Sequence, residues 1–159
     1  MEEKTKLTND VAFQLVFGKP GNERITKKLI EDLLGIEIES LTLNTNKRMY
    51  GDFIDDKMSR LDIKAVLSDG TKVLIEMQVA SYDTLPERFL YYWGKSYTED
   101  LKKGSRYEDL QKTISIIILV NNLPRFKDIE DYHTKWVIQE DKAPRRPLSV
   151  RRTAFSLFI

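Results

Sequence analysis

Residues 60–79 read RLDIKAVLSDGTKVLIEMQV, two alternating stretches joined by turn residues, and this hairpin narrows the possible folds more than any other segment. Successive strand side chains point to opposite faces. Leu61, Ile63, Ala65 and Leu67 therefore share one face, with Asp62, Lys64 and Val66 on the other. In the second stretch Val73, Ile75, Met77 and Val79 stand opposite Lys72, Leu74, Glu76 and Gln78. A two-residue Asp69-Gly70 turn would set Ser68 against Thr71 and Asp62 against Met77. A three-residue Ser68-Asp69-Gly70 loop, with Gly70 left-handed in a bulge, sets Leu67 against Thr71 and Asp62 against Glu76. Only the second register puts the apolar residues of both strands on one side, so the hydrophobic pattern selects it.

The flanking segments suit a sheet covered by helices. Thr8 or Asn9 caps a short helix through about Phe17, with Phe13, Val16 and Phe17 as its apolar face, and Gly18, Pro20 and Gly21 end it. Ile25, Leu29, Ile30, Leu33 and Leu34 recur at helical spacing from Asn22 to about Leu34, before Gly35. Ile36, Ile38, Leu41 and Leu43 suggest an extended segment, and GDFIDDKM at 51–58 a polar connection. A long helix is expected from Leu85 to about Lys103, started near Pro86 and stopped by Gly104, with Phe89, Trp93, Tyr97 and Leu101 as its core stripe. TISIIILV at 113–120 is β-branched and nearly uninterrupted, the pattern of a central strand buried on both faces. Residues 133–139 and 152–159 read as further strands, separated by the breaker-rich KAPRRP. The predicted class is α/β, a mixed central sheet flanked by helices, in one domain spanning 1–159.

Composition removes several chemistries. With no cysteine there are no disulfides, thiolate nucleophiles or thiolate-bound zinc. His133 is the single histidine, which rules out zinc sites needing two or three imidazoles. No acid or nucleophile is spaced with it, so His133 reads as structural. Oxygen-ligated hard metals stay open. The longest apolar stretch, Ile114 to Val120 broken by Ser115, is too short to span a bilayer. The N-terminal MEEKTKLTND has no apolar core of a secretory signal, so the expected location is cytoplasmic. Net charge is +1, but Lys142, Arg145, Arg146, Arg151 and Arg152 fall in a stretch without acids. That basic tail could touch phosphates or be a solvated edge.

In the selected register the Cβ atoms of Asp62 and Glu76 lie about 5 Å apart, and Gln78 follows roughly 7 Å along the same face. Carboxylates so placed repel unless a cation lies between them. Mg²⁺ takes octahedral oxygen ligands and commonly uses one or two carboxylates, leaving positions for water and phosphate. Such an ion polarises a phosphoryl oxygen and lowers the pKa of an attacking water. Lys64 and Lys72 on the same face offer another way to neutralise the acids, and a solvated polar face has the same spacing.

NDVAFQLVFG at 9–18, LIEDLLGI at 29–36, KMSRLDIKAVLSDGTKVLIEMQ at 57–78, the helix with Arg88 and Tyr91, Gly104 to Tyr107 and the ISIIILV strand together resemble the PD-(D/E)XK nuclease family transposases, also called recombination-promoting nucleases. The resemblance implies a restriction-endonuclease-like core and a metal-dependent DNA endonuclease linked to mobile elements. Asp62 and Glu76 correspond to the motif acids that hold Mg²⁺ or Mn²⁺. Gln78 takes the place of the superfamily lysine and brings only a dipole to the reaction, so Lys64 is the expected source of positive charge. Asp10 matches a first-helix position that often adds an acid near the metal, and equally suits a helix N-terminus. Arg88 is expected at a phosphate or paired with an acid on the Glu87 side or on the hairpin, and Arg145 and Arg146 at DNA. DNA is the expected partner, with a homodimer as a further expectation; neither a membrane nor a nucleotide cofactor is implied. Members of this family usually continue past this point, so the domain is expected to lack a C-terminal region. The alternative is an inactive DNA-binding or protein-interaction module that keeps the nuclease fold.

Overall fold

Gly70 has a φ of 82°, a left-handed conformation that a glycine adopts without steric cost. Around it, Leu67 N–H donates to the Thr71 carbonyl at 2.9 Å, and Gly70 N–H donates to the Leu67 carbonyl at 2.9 Å. Ser68, Asp69 and Gly70 thus form the three-residue bulged loop that the alternation requires. The Asp69 carboxylate accepts from the Thr71 N–H at 2.8 Å and the Thr71 hydroxyl at 2.9 Å. The backbone hydrogen bond from Thr71 is the main reason its pKa lies below the ordinary aspartate value.

The computed structural model describes residues 10–44, 63–80, 82–121, 123–137 and 153–158. Strands β2 (Ile63–Leu67) and β3 (Lys72–Gln78) pair antiparallel, with Ile63 opposite Ile75 and Ala65 opposite Val73. This is the expected register. The next pair, residue 62 with Glu76, falls outside the described residues.

Among the described residues six strands form one mixed sheet. With β1 (Leu41–Leu43), β4 (Thr113–Leu119), β5 (His133–Trp136) and β6 (Thr153–Phe158), the order is β1-β2-β3-β4-β6-β5. The pairs β3–β4 and β4–β6 are parallel, and the others antiparallel. β4 is central, as its apolar run demands: Ile114 and Ile116 enter one core, Ile117 and Leu119 the other.

Helices cover both faces. α1 (Asp10–Phe17) and α2 (Glu23–Leu34) bring Phe13 and Ile30 onto Ile63, Ala65, Val73 and Ile75. α2 ends at Gly35, left-handed at φ 64°, whose N–H donates to the Glu31 carbonyl. The extended segment expected over 36–43 pairs only at Leu41–Leu43. Before it, α2 side chains take up the backbone: Glu31 accepts from Ile38 N–H at 3.0 Å, and Lys27 donates to the Glu39 carbonyl at 3.2 Å.

α3 (Leu85–Thr98) covers the second face and stops about one turn short of the expected Lys103. Its buried stripe is Leu85, Phe89, Tyr92 and Ser96, not the four-residue series from Phe89 to Leu101. At 3.6 residues per turn a strict interval of four drifts off the contact line. Trp93 and Tyr97 are half-buried and stack on each other with centroids 5.0 Å apart. Among the described residues no helix is long and apolar enough to cross a membrane.

Candidate active site

Lys72, Leu74 and Glu76 all point from β3 toward α3. Two strand residues span about 6.6 Å and four helix residues rise about 6 Å, so alternate strand positions meet every fourth helix position. The contacts follow that arithmetic in reverse order: Arg88 ion-pairs with Glu76, Tyr92 packs on Leu74, and the Ser96 carbonyl accepts from Lys72 at 2.8 Å. The apolar Leu74–Tyr92 contact separates two charged clusters.

At the α3 N-terminal end, the Glu76 side chain is 5 % exposed while that of Arg88 is 32 % exposed. A carboxylate so buried needs a cation or hydrogen-bond donors to remain ionised. Arg88 Nη2 supplies a charge-assisted contact to Glu76 Oε1. The guanidinium carbon sits 5.6 Å from the Tyr92 ring centroid, within cation–π range. Arg88 Nε is buried and makes no hydrogen bond among the described residues. Gln78 follows Glu76 on the same face, and its amide nitrogen donates to the Ala80 carbonyl at 2.8 Å.

At the other end Lys72 is enclosed. Its side chain is 4 % exposed, and its ammonium meets Glu99 at 3.1 Å and Asp100 at 2.6 Å besides the Ser96 carbonyl. Lys64 also pairs with Glu99. The hydrogen bond from Lys72 is the main cause that holds the Asp100 carboxyl below the ordinary aspartate value. A cavity of about 590 Å³ opens beside this cluster, lined by Lys64, Lys72, Glu99, Asp100 and Gln111 among others. Glu99 and Asp100 were not anticipated from the sequence. The available signal was Lys72 itself, a charge in a strand position that faces a covering helix and so requires counter-charges.

The structure thus brings Glu76, Gln78 and Arg88 into one region. It turns Lys64 toward the Lys72 end, where Glu99 holds it, and so away from Glu76 along the strand. Asp10 opens α1, whose Phe13 packs on the sheet face opposite Glu76. The side chain of Asp10 lies outside the described residues, as do Asp62, Arg145 and Arg146 entirely. His133 stands at the start of the edge strand β5, opposite Phe158.

A divalent ion is compatible with this donor set. Glu76 offers a buried, hard oxygen ligand, and the cation beside it shows that the position accommodates positive charge. Among the described residues no group of three or more His, Cys, Asp or Glu side chains forms a ready metal cluster. The chain matches a family model described as PD-(D/E)XK nuclease family transposase, over residues 7–149. No curated protein and no solved structure matches it.

Proposed function

The chain belongs to the PD-(D/E)XK nuclease family transposases, and from that premise we propose that it is a divalent-metal-dependent endonuclease that hydrolyses DNA phosphodiester bonds in transposition or recombination. One observation carries this reading: Glu76, the acid assigned to the second motif position by resemblance, is buried on the α3 face of a hairpin whose loop geometry sets its register. A surface acid kept only for solubility would not be buried with a cation against it.

In this reading Asp62 and Glu76 hold Mg²⁺ or Mn²⁺, with Asp10 as a further ligand. When bound, such an ion would supply Lewis-acid chemistry, polarising a phosphoryl oxygen and lowering the pKa of an attacking water. Gln78 orients that water or the phosphate through its amide dipole. Arg88, Arg145 and Arg146 contact the DNA backbone. Lys64, held by Glu99 at the Lys72 end, would have to leave that pair to bring the charge that a lysine at position 78 would supply; unchanged cleavage by Lys64→Met would remove it from the site. The protein acts in the cytoplasm, and a homodimer would let two such sites cut both strands.

Supercoiled plasmid incubated with the purified protein, with and without Mg²⁺ or Mn²⁺, tests the proposal. Metal-dependent nicking absent from an Asp62→Ala control is expected, and nicking no greater than that control contradicts it. A second reading, an inactive module retaining the fold, is favoured by Gln78, whose amide donates to Ala80. It predicts DNA or partner binding indifferent to Glu76→Ala and to chelators.

A further inference from the structure

The two cations that α3 aligns with β3 are held in opposite ways. Lys72 is enclosed by two carboxylates and a carbonyl, whereas Arg88 reaches Glu76 from a helix rim with a third of its side chain open to solvent. Arg88 can therefore leave its carboxylate without passing through the core. We propose that Arg88 is an exchangeable counter-ion of Glu76: a divalent ion bound at Glu76 displaces the guanidinium, which then binds a DNA phosphate. This rests on the metal reading of the site given above and adds a coupling between its two ligands.

The charges at the site favour an exchange. A buried carboxylate does not remain uncompensated, so Glu76 keeps its guanidinium until another cation arrives. A divalent ion at the same oxygen repels the guanidinium at contact distance. Once displaced, Arg88 presents a planar fork suited to two phosphate oxygens, and its Nε, which makes no hydrogen bond among the described residues, is half of that fork. Tyr92, one helical turn along, lies 5.6 Å from the guanidinium carbon and gives it a face on which to pivot. Metal and DNA then bind with positive coupling, because the ion releases the group that the phosphate needs.

The full chain, stripped of metal, is titrated with Ca²⁺ by calorimetry and with a labelled DNA duplex by anisotropy, as wild type and as Arg88→Gln. The side-chain Nε–H resonance of Arg88 is followed by NMR during the Ca²⁺ titration. Arg88→Gln is expected to bind Ca²⁺ about tenfold more tightly without DNA, while Ca²⁺ raises wild-type DNA affinity at least about fivefold more than it raises the variant's, the remainder being the ion's own contact with phosphate. The Arg88 resonance is expected to shift in step with Ca²⁺ occupancy. If Ca²⁺ binds both proteins equally and that resonance stays still, the exchange is wrong although the metal site stands. If Ca²⁺ binds neither, both fail. Should Arg88→Gln not fold, the wild-type resonance decides alone, and Arg88→Lys is expected to retain part of the coupling through its charge.

Discussion

The two ends of the β3–α3 contact are built from the same parts and solve opposite problems. At one end a buried lysine is surrounded by acceptors: the Ser96 carbonyl, Glu99 and Asp100. At the other a buried glutamate is met by a guanidinium at the helix rim. A saturated buried charge is a structural pin, because each partner lost leaves desolvation uncompensated. A buried acid whose cation is a third exposed is open to the proposed trade of that cation for another. One end therefore fastens the helix to the sheet, and the other is the place to which the proposed cation chemistry is assigned.

Removing the acceptors of Lys72 should produce the largest loss of stability. Glu99→Gln combined with Asp100→Asn removes both negative charges and leaves the buried ammonium with neutral acceptors alone, the Ser96 carbonyl and the two amide oxygens, and urea denaturation should show a loss of about 3 kcal/mol. Lys72→Met, which removes the buried charge itself, should cost clearly less. Equal costs would mean that desolvation of Lys72 is not what the cluster offsets.

A smaller effect is expected at the loop that sets the register for both ends. Gly70→Ala places a methyl group at φ 82°, with its carbon 2.9 Å from Gln111 Oε1. Gln111 can swing away, so the cost is mainly backbone strain, about 1–2 kcal/mol in the same denaturation assay. Metal-dependent nicking should survive in proportion to the folded fraction. Abolished nicking in a fully folded variant would show that the register had slipped.

The smallest effect is the pH dependence at the lysine end. Lys72 lowers the Asp100 pKa from an ordinary value of 3.8, and the Thr71 N–H does the same for Asp69. A lowered folded-state pKa contributes stability that is complete above the unfolded value and is lost as pH falls through the folded one. The urea midpoint should be insensitive to these two groups between pH 7 and about 5 and should fall below about 4. Asp100→Asn should show a shallower acid slope than wild type, and an identical slope would remove that pairing from the account.

How much of this was legible in the sequence divides along the same line. The hairpin register was readable because alternation and the turn chemistry of Ser68-Asp69-Gly70 agree, and both are local. The central place of β4 followed from its uninterrupted β-branched run. The buried stripe of α3 was misplaced, since spacing residues by four loses phase over a few turns; the helix turns on 3.6. Its early end was hidden because Glu99 and Asp100 turn to meet Lys64 and Lys72, partners that the fold brings from more than a dozen residues away. Arg88 suited a phosphate, an acid on the Glu87 side or a hairpin acid by sequence; it sits on Glu76, chosen by a helix–strand spacing that no single element contains. Asp62 was placed opposite Glu76 by a register that holds for every described pair of the hairpin.

The central claim, that the Glu76 end serves cation chemistry and the Lys72 end serves stability, is tested most directly with Glu76→Gln, assayed on one preparation for Mn²⁺-dependent plasmid nicking and for urea denaturation. The account predicts nicking reduced at least about a thousandfold, some 4 kcal/mol of transition-state stabilisation, with a stability change within roughly 1–2 kcal/mol because Arg88 can turn to solvent. Nicking preserved in this variant, or lost only because the protein unfolds, would contradict it.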